Sequence, residues 1–210
     1  MQWLASGKKL LVVFQQRFND QESDDWLAVL DPLLQKPAKL SKINTSPITL
    51  ITGQPAGSGD ASLGILPDNT ACVFYADHEM VRGRTINRKG KFTSAPFPAF
   101  SGSINTLLHV PKVAFSTTSE GTVGLLIAYE QVLFGVVPQN AWAQVIDDHG
   151  LPAGEPKIVD TLLNSMAVGT VLFAVPRKPS DTVFQFIWMQ SRAGYGGPND
   201  ILKLKLQVTP

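Results

Sequence analysis

Four runs in this chain are apolar at almost every position and close on a polar or charged side chain. They read LLVVFQQ (Leu10 to Gln16), ACVFYAD (Ala71 to Asp77), LLIAYEQ (Leu125 to Gln131) and VFQFIWMQ (Val183 to Gln190). Successive side chains of a strand point to opposite faces, so a strand with one wet face alternates apolar and polar residues. A run without that alternation has no face to offer water, and each of the four is expected to be a strand covered on both sides.

The surrounding segments recur in a fixed order. Each apolar run follows a shorter apolar segment across a tight polar turn: QWLAS before GKK, ASLGILP before DNT, KVAFS before TTSEGT, and TVLFAVP before RKPSDT. A third segment with clearer alternation follows each: WLAVLD, VRGRTIN, AWAQVID and ILKLKLQV. Two of these run into INRKGK and IDDHGLPAG, whose Gly90 and Gly150 can supply a positive φ. A weaker fourth segment, KLSKIN, PFPAF or PKIVD, comes after three of the four, and the prolines in two of them suit an edge strand. The second segments centre near Val13, Phe74, Ile127 and Ile187, at spacings of 61, 53 and 60 residues. A recurring unit of four strands that cannot bury its own faces must stack on its neighbours. The expectation is an all-β, β-propeller-like chain of about four repeats of four antiparallel strands. It forms one domain over 1–210, with approximate repeats 1–47, 48–103, 104–164 and 165–210. The alternative is a two-sheet β-sandwich or jelly roll, which also has many short strands. Helical spacing occurs in DDWLAVLDPLLQ, with Asp25 as a cap, and in DTLLNSMAVG, but Pro32 breaks the first and both are short.

The segments VVFQQ…WLAVLDPLLQ, CVFYAD…RGRTINRKGK, LLIAYE…AQVIDDHG and FQFIWMQ…LKLKLQV resemble the degenerate repeats of secreted and bacterial β-propellers. The resemblance spans nearly the whole chain and implies the architecture without naming a family within it. A Trp-Asp blade ending and the Ser-x-Asp-x-Gly-x-x-Trp turn of sialidase-type blades are both absent, and the fourth repeat stops after its third strand.

Composition narrows the function classes. Hydrophobic residues make up 44% and charged residues 17% of the chain, so it has the apolar surface to build a core. A formal charge of +1 gives no net pull toward nucleic acid or anionic lipid. The one local basic group is Arg82, Arg84, Arg88, Lys89 and Lys91, which serves equally well as a solvated strand edge, so nucleic acid is not the expected partner. The longest apolar run, Val123 to Val137, carries Glu130 and Gln131 and falls short of the roughly twenty residues of a spanning helix. No membrane association is therefore expected. No secretory signal is encoded, which fits either a cytoplasmic protein or a trimmed secreted domain. Cys72, the single cysteine, excludes an internal disulfide and reads as a small buried hydrophobe.

Chemistry-bearing motifs are sparse. The Gly-rich stretches at 53–62 and 193–200 lack the Gly-Lys-Ser/Thr ending of a phosphate loop, and no Gly-x-Ser-x-Gly elbow exists. Asp77-His78-Glu79 is the densest group of metal-ligand types, but only Asp77 and Glu79 share a strand face, so no metal and no cofactor are expected. The ends of the second segments offer more. If these strands are equivalent, Arg17, Asp77, Glu79, Glu130 and Arg192 emerge on one rim, with Tyr195 as an aromatic contact and Trp142 as a further exposed option. Such a ring suits a non-enzymatic recognition module for a protein, peptide or glycan. The alternative is a carbohydrate-active enzyme using Asp77, Glu79 and Glu130, with Asp20 or Asp24 as a third carboxylate. A further alternative is an oligomer-forming piece of a larger propeller, so a homo-oligomer is among the expected partners.

Overall fold

The computed structural model describes residues 2–4, 9–17, 23–31, 33, 35–36, 38–45, 61–77, 80–102, 106–132, 139–162, 173–176, 182–191 and 199–208. The first sheet is β1 (Gln2–Leu4), β2 (Lys9–Arg17), β3 (Ser23–Leu30) and β4 (Lys39–Lys42). The second is β5 (Ser62–Ile65), β6 (Ala71–Asp77), β7 (Met80–Ile86) and β8 (Phe97–Ser101). The third is β9 (Thr106–Thr118), β10 (Gly121–Val132), β11 (Gln139–Ile146) and β12 (Pro152–Leu162). The fourth is β13 (Phe173–Pro176), β14 (Val183–Ser191) and β15 (Asn199–Gln207). Every strand pairs antiparallel with its predecessor in the sheet, so each sheet is a meander without crossovers. Among the described residues there is no α-helix.

The first strands of successive sheets neighbour one another, β1 beside β5, β5 beside β9 and β9 beside β13. The sheets therefore stack in chain order, in the propeller-like manner that the repeats predicted. The second strands show why they lack polar positions. In β6, Ala71, Val73 and Tyr75 join Leu11, Leu27 and Ile43 of the first sheet in one apolar cluster. The alternate residues Cys72 and Phe74 join Leu126 and Ala128 of the third sheet in another. In β10 the other set, Leu125 and Ile127, packs with Phe184 and Val208 of the fourth sheet. Each fully buried side chain of this size contributes about 1.5–3 kcal/mol, available only while both neighbouring sheets are in place.

Two turns lock the stack. Asn87 Oδ1 accepts the amides of Lys89 (2.9 Å) and Lys91 (3.0 Å), and Asp147 Oδ1 accepts those of His149 (2.9 Å) and Leu151 (2.8 Å). Gly90 (φ 77) and Gly150 (φ 80) complete these turns in the left-handed region. Each glycine faces the preceding sheet, Gly90 against Val29 and Gly150 against Cys72.

The helical spacing in DDWLAVLDPLLQ is overruled, since residues 23–30 form β3. Leu27 and Val29 face the second sheet while Trp26 and Ala28 face the other way, and a strand apolar on both faces mimics helical spacing over so short a run. DTLLNSMAVG begins in β12, which runs to Leu162, and its remainder lies outside the described residues.

Candidate functional site

The second strands end at Arg17, Asp77, Val132 and Ser191. Because all four sheets share one strand order and stack in sequence, these ends lie on one rim. Asp77 closes β6 on the face toward the first sheet, and its carboxylate is ion-paired with the Arg82 guanidinium across the β6–β7 ladder. Tyr75, two residues earlier on the same face, is buried, and that burial together with the charges of Asp77 and Asp25 pushes its phenol up to about 12. Asp25 is fully buried on β3.

The loop after β4 ties this layer down. Asn44 Oδ1 accepts the Asp25 amide at 2.9 Å, and Asn44 Nδ2 donates to Asp24 Oδ1 at 2.9 Å. Lys42 Nζ lies 2.6 Å from the same Asp24 oxygen. Arg84 clasps the two sheets, since it donates to the carbonyls of Lys42 (3.3 Å) and Ile43 (3.1 Å) and also to Ser94 in its own sheet. Its guanidinium sits 3.7 Å from the centre of the Phe92 ring, and burial lowers its pKa. Arg82 and Arg84 are therefore engaged within the protein, which removes them from the basic stripe seen in the sequence.

Glu130 sits in the interface between the second and third sheets. It lies inside β10, is only 1% exposed, and its Oε2 accepts hydrogen bonds from Asn140 Nδ2 (2.7 Å) and Trp142 Nε1 (2.9 Å) on β11. Trp142, expected as an exposed aromatic contact, instead stacks on Phe100 of β8 with ring centres 6.4 Å apart. Charge-assisted bonds of this kind are the strong ones, and here they anchor a buried carboxylate to the neighbouring strand.

Asp77 thus closes β6, whereas Glu130 lies buried inside β10, and the two belong to different inter-sheet layers. Glu79, Arg192 and Tyr195 lie outside the described residues, as does the side chain of Arg17. The polar layer of Asp25, Tyr75 and Asp77 was not legible as a unit. Its signal was two acids directly before an apolar strand, with partners some fifty residues away.

At the opposite ends of the strands, a cleft of about 420 Å³ is lined by Thr70, Thr85, Thr93, Ser94, Asp68 and His149 among others. The ligand atoms of Asp147, Asp148 and His149 lie within 4.8 Å of one another beside it. Asp147 Oδ1 already serves as the acceptor of its turn, and an Asp148 carboxylate oxygen lies 2.6 Å from His149 Nδ1, so local turn geometry accounts for the group. Asp68 is hydrogen-bonded to Thr70; burial acts to raise its pKa, but those bonds and Arg88 hold it below the ordinary value.

No family model and no curated protein matches the chain. Among solved structures, it is similar to an exo-1,5-α-L-arabinanase from a bovine ruminal metagenomic library. The TM-score is 0.51 at 11% identity, over 96% of this chain and 71% of that one. It is also similar to a protein of unknown function from Dyadobacter fermentans DSM 18053. There the TM-score is 0.58 at 13% identity, over 99% of this chain and 52% of the other. At these identities the likeness is one of fold: four antiparallel sheets stacked in propeller-like order.

Proposed function

We propose that this chain is a recognition module that binds a glycan, without cleaving it, at the rim where its second strands end. One observation carries the reading: the three candidate catalytic carboxylates among the described residues, Asp24, Asp77 and Glu130, are each engaged by partners within the protein. Glycoside hydrolysis needs two carboxyl groups flanking the scissile bond, one giving a proton to the leaving oxygen and one attacking or activating water. Asp77 is engaged by Arg82, and Glu130 is 1% exposed with Asn140 and Trp142 on its Oε2. A glycosidic oxygen does not reach Glu130 in this arrangement. The residue types expected at the strand ends from the sequence suit binding: Arg17, Glu79 and Arg192 to hydrogen-bond sugar hydroxyls, and Tyr195 to stack on a ring face.

The second reading, a carbohydrate-active enzyme, is favoured by the likeness to an arabinanase. Calorimetric titration with arabino-, xylo-, galacto- and fructo-oligosaccharides, run beside a reducing-end assay on the same sugars, separates the two. The expected result is binding without new reducing ends, weakened stepwise by Arg17→Ala, Arg192→Ala and Tyr195→Ala. Hydrolysis that collapses with Asp77→Asn, Glu79→Gln or Glu130→Gln overturns it in favour of the enzyme. Binding to a peptide array and to none of the sugars overturns the choice of ligand.

A further inference from the structure

The four sheets end differently at their outermost strands. β4 is four residues long, β8 carries Pro98 and a register shift against β7, and β12 carries Pro152, Pro156 and two register shifts against β11. Shortness, proline and bulges are the devices that keep a sheet edge from pairing with another chain. β15 has none of them. It runs nine residues, Asn199–Gln207, in unbroken register, and among the described residues it pairs with β14 alone. One bond fixes which of its groups are open. Val208 N–H donates to the Thr182 carbonyl at 3.0 Å. Bonding direction alternates along an antiparallel strand, so the N–H and C=O of Lys203, Lys205 and Gln207 turn away from β14 toward the open edge.

A cleft of about 260 Å³ lies beside this edge, and its walls include Val145 and Val159 of the third sheet, Leu206 and Val208 of the fourth, and the polar pair Glu155 and Lys157. In the preceding layer β12 lies beside β8, the outermost strand of the sheet before it. A strand added to β15 would stand in the same relation to β12, with its inward side chains in the cleft. The two faces of β15 set the pattern such a strand needs. Leu206 packs into the apolar layer shared with the third sheet, while its neighbours Lys205 and Gln207 are exposed, and Lys203 is two residues before Lys205. Side chains on neighbouring strands interact face by face, so the fitting strand is apolar on one face and acidic on the other. Pairing with the β15 of a second copy, centred on 203, 204 or 205, would set lysine opposite lysine, which is destabilising. No stretch of the chain outside the described residues alternates acidic with apolar residues. We propose that this edge captures an extended segment of a partner protein in which Asp or Glu alternates with apolar residues, added as a fourth strand to the fourth sheet. The edge is separate from the loop rim, and the inference stands independently of glycan binding there.

Fluorescence anisotropy with a labelled peptide of alternating glutamate and valine tests it on the 210-residue chain. Two peptides of equal length serve as comparators, one of alternating lysine and valine and one with the glutamates and valines in separate blocks. The alternating acidic peptide is expected to bind about 10-fold more tightly than either. Gln207→Pro removes a donor from the open edge without breaking a bond to β14, and should weaken binding by about 10-fold or more. Lys205→Glu should turn the preference toward the lysine peptide. Circular dichroism verifies that each variant is folded, with Lys205→Gln as the milder replacement. Hydrogen exchange at the amides of Lys203, Lys205 and Gln207 should slow when the peptide is bound. Failure of the acidic peptide to bind, equal binding of all three peptides, or binding that Gln207→Pro leaves unchanged would each overturn the proposal. So would a dimer in light scattering that Gln207→Pro dissolves, since it gives the edge to a second copy.

Discussion

Replacing Gly124 by alanine places a methyl group where the Phe115 ring now sits. A Cβ there would stand 2.4 Å from Cε1 and 2.7 Å from Cδ1 of that ring. Carbon atoms rest about 3.5–4.0 Å apart, so the ring must retreat by about 1 Å. The retreat leads toward Gly64 of the second sheet, whose own Cβ would stand 2.5 Å from the opposite edge at Cε2. The ring is thus clamped between two glycines on adjacent sheets. Overpacking costs about 1–3 kcal/mol, and with the escape route closed Gly124→Ala belongs in the upper half of that range. Phe115→Leu frees the space, so the pair Gly124→Ala with Phe115→Leu should cost less than the two single changes together, by about 1–2 kcal/mol. Urea unfolding followed by the fluorescence of the four tryptophans measures all members of the cycle. Additivity within about 0.5 kcal/mol would show that Phe115 does not fill the gap between the sheets, and the stacking argument would fail with it.

Other perturbations probe the remaining layers. Glu130→Gln keeps an acceptor for Asn140 and Trp142 and should cost about 1 kcal/mol, whereas Glu130→Ala strands two partly buried donors and should cost about 2–3 kcal/mol; denaturant midpoints rank them. Tyr75, held near 12 in the folded chain against an ordinary 10.0, has its folded pKa raised. Its stabilising contribution is therefore complete below pH 10 and lost as the pH climbs through about 12. Ultraviolet titration should find one tyrosine ionising late, and Tyr75→Phe should flatten the stability profile in that window. Burial pushes the Cys72 thiol up, so an aromatic disulfide reagent should label it only on unfolding. Rapid labelling of the native protein would contradict its place between the second and third sheets. Arg84→Lys retains the charge but cannot span the carbonyls of Ile43 and Ser94 at once, and should destabilise the chain by about 1–3 kcal/mol in the same unfolding assay.

How far the fold was legible follows from particular residues. ACVFYAD carries no polar position before its last residue, which suffices to make it a strand between two layers. DDWLAVLD was ambiguous, because a short strand apolar on both faces and a short helix share the same spacing. The turns at Asn87 and Asp147 were readable, since a glycine three residues after an Asn or Asp satisfies a local hydrogen-bond pattern that needs nothing from the rest of the chain. Glu130 read as a rim residue because it is the first charged position after an apolar run. That β10 continues to Val132, and that Asn140 and Trp142 stand across from it, depends on register with β11.

The sequence by itself determined that this chain is all-β, that its strands come in repeated groups, and that each second strand needs a sheet on either side. These are properties of composition and period two, expressed residue by residue along the backbone. Only the tertiary structure decided which apolar set meets which neighbour, since Ala71, Val73 and Tyr75 could exchange roles with Cys72, Phe74 and Ala76 under a one-residue slip. It alone also joined Asp25 to Tyr75, Asp77 to Arg82 and Glu130 to Trp142. A polar side chain inside a sheet stack takes its meaning from whatever stands opposite. That neighbour is set by strand register and stacking order, which no local stretch of sequence carries.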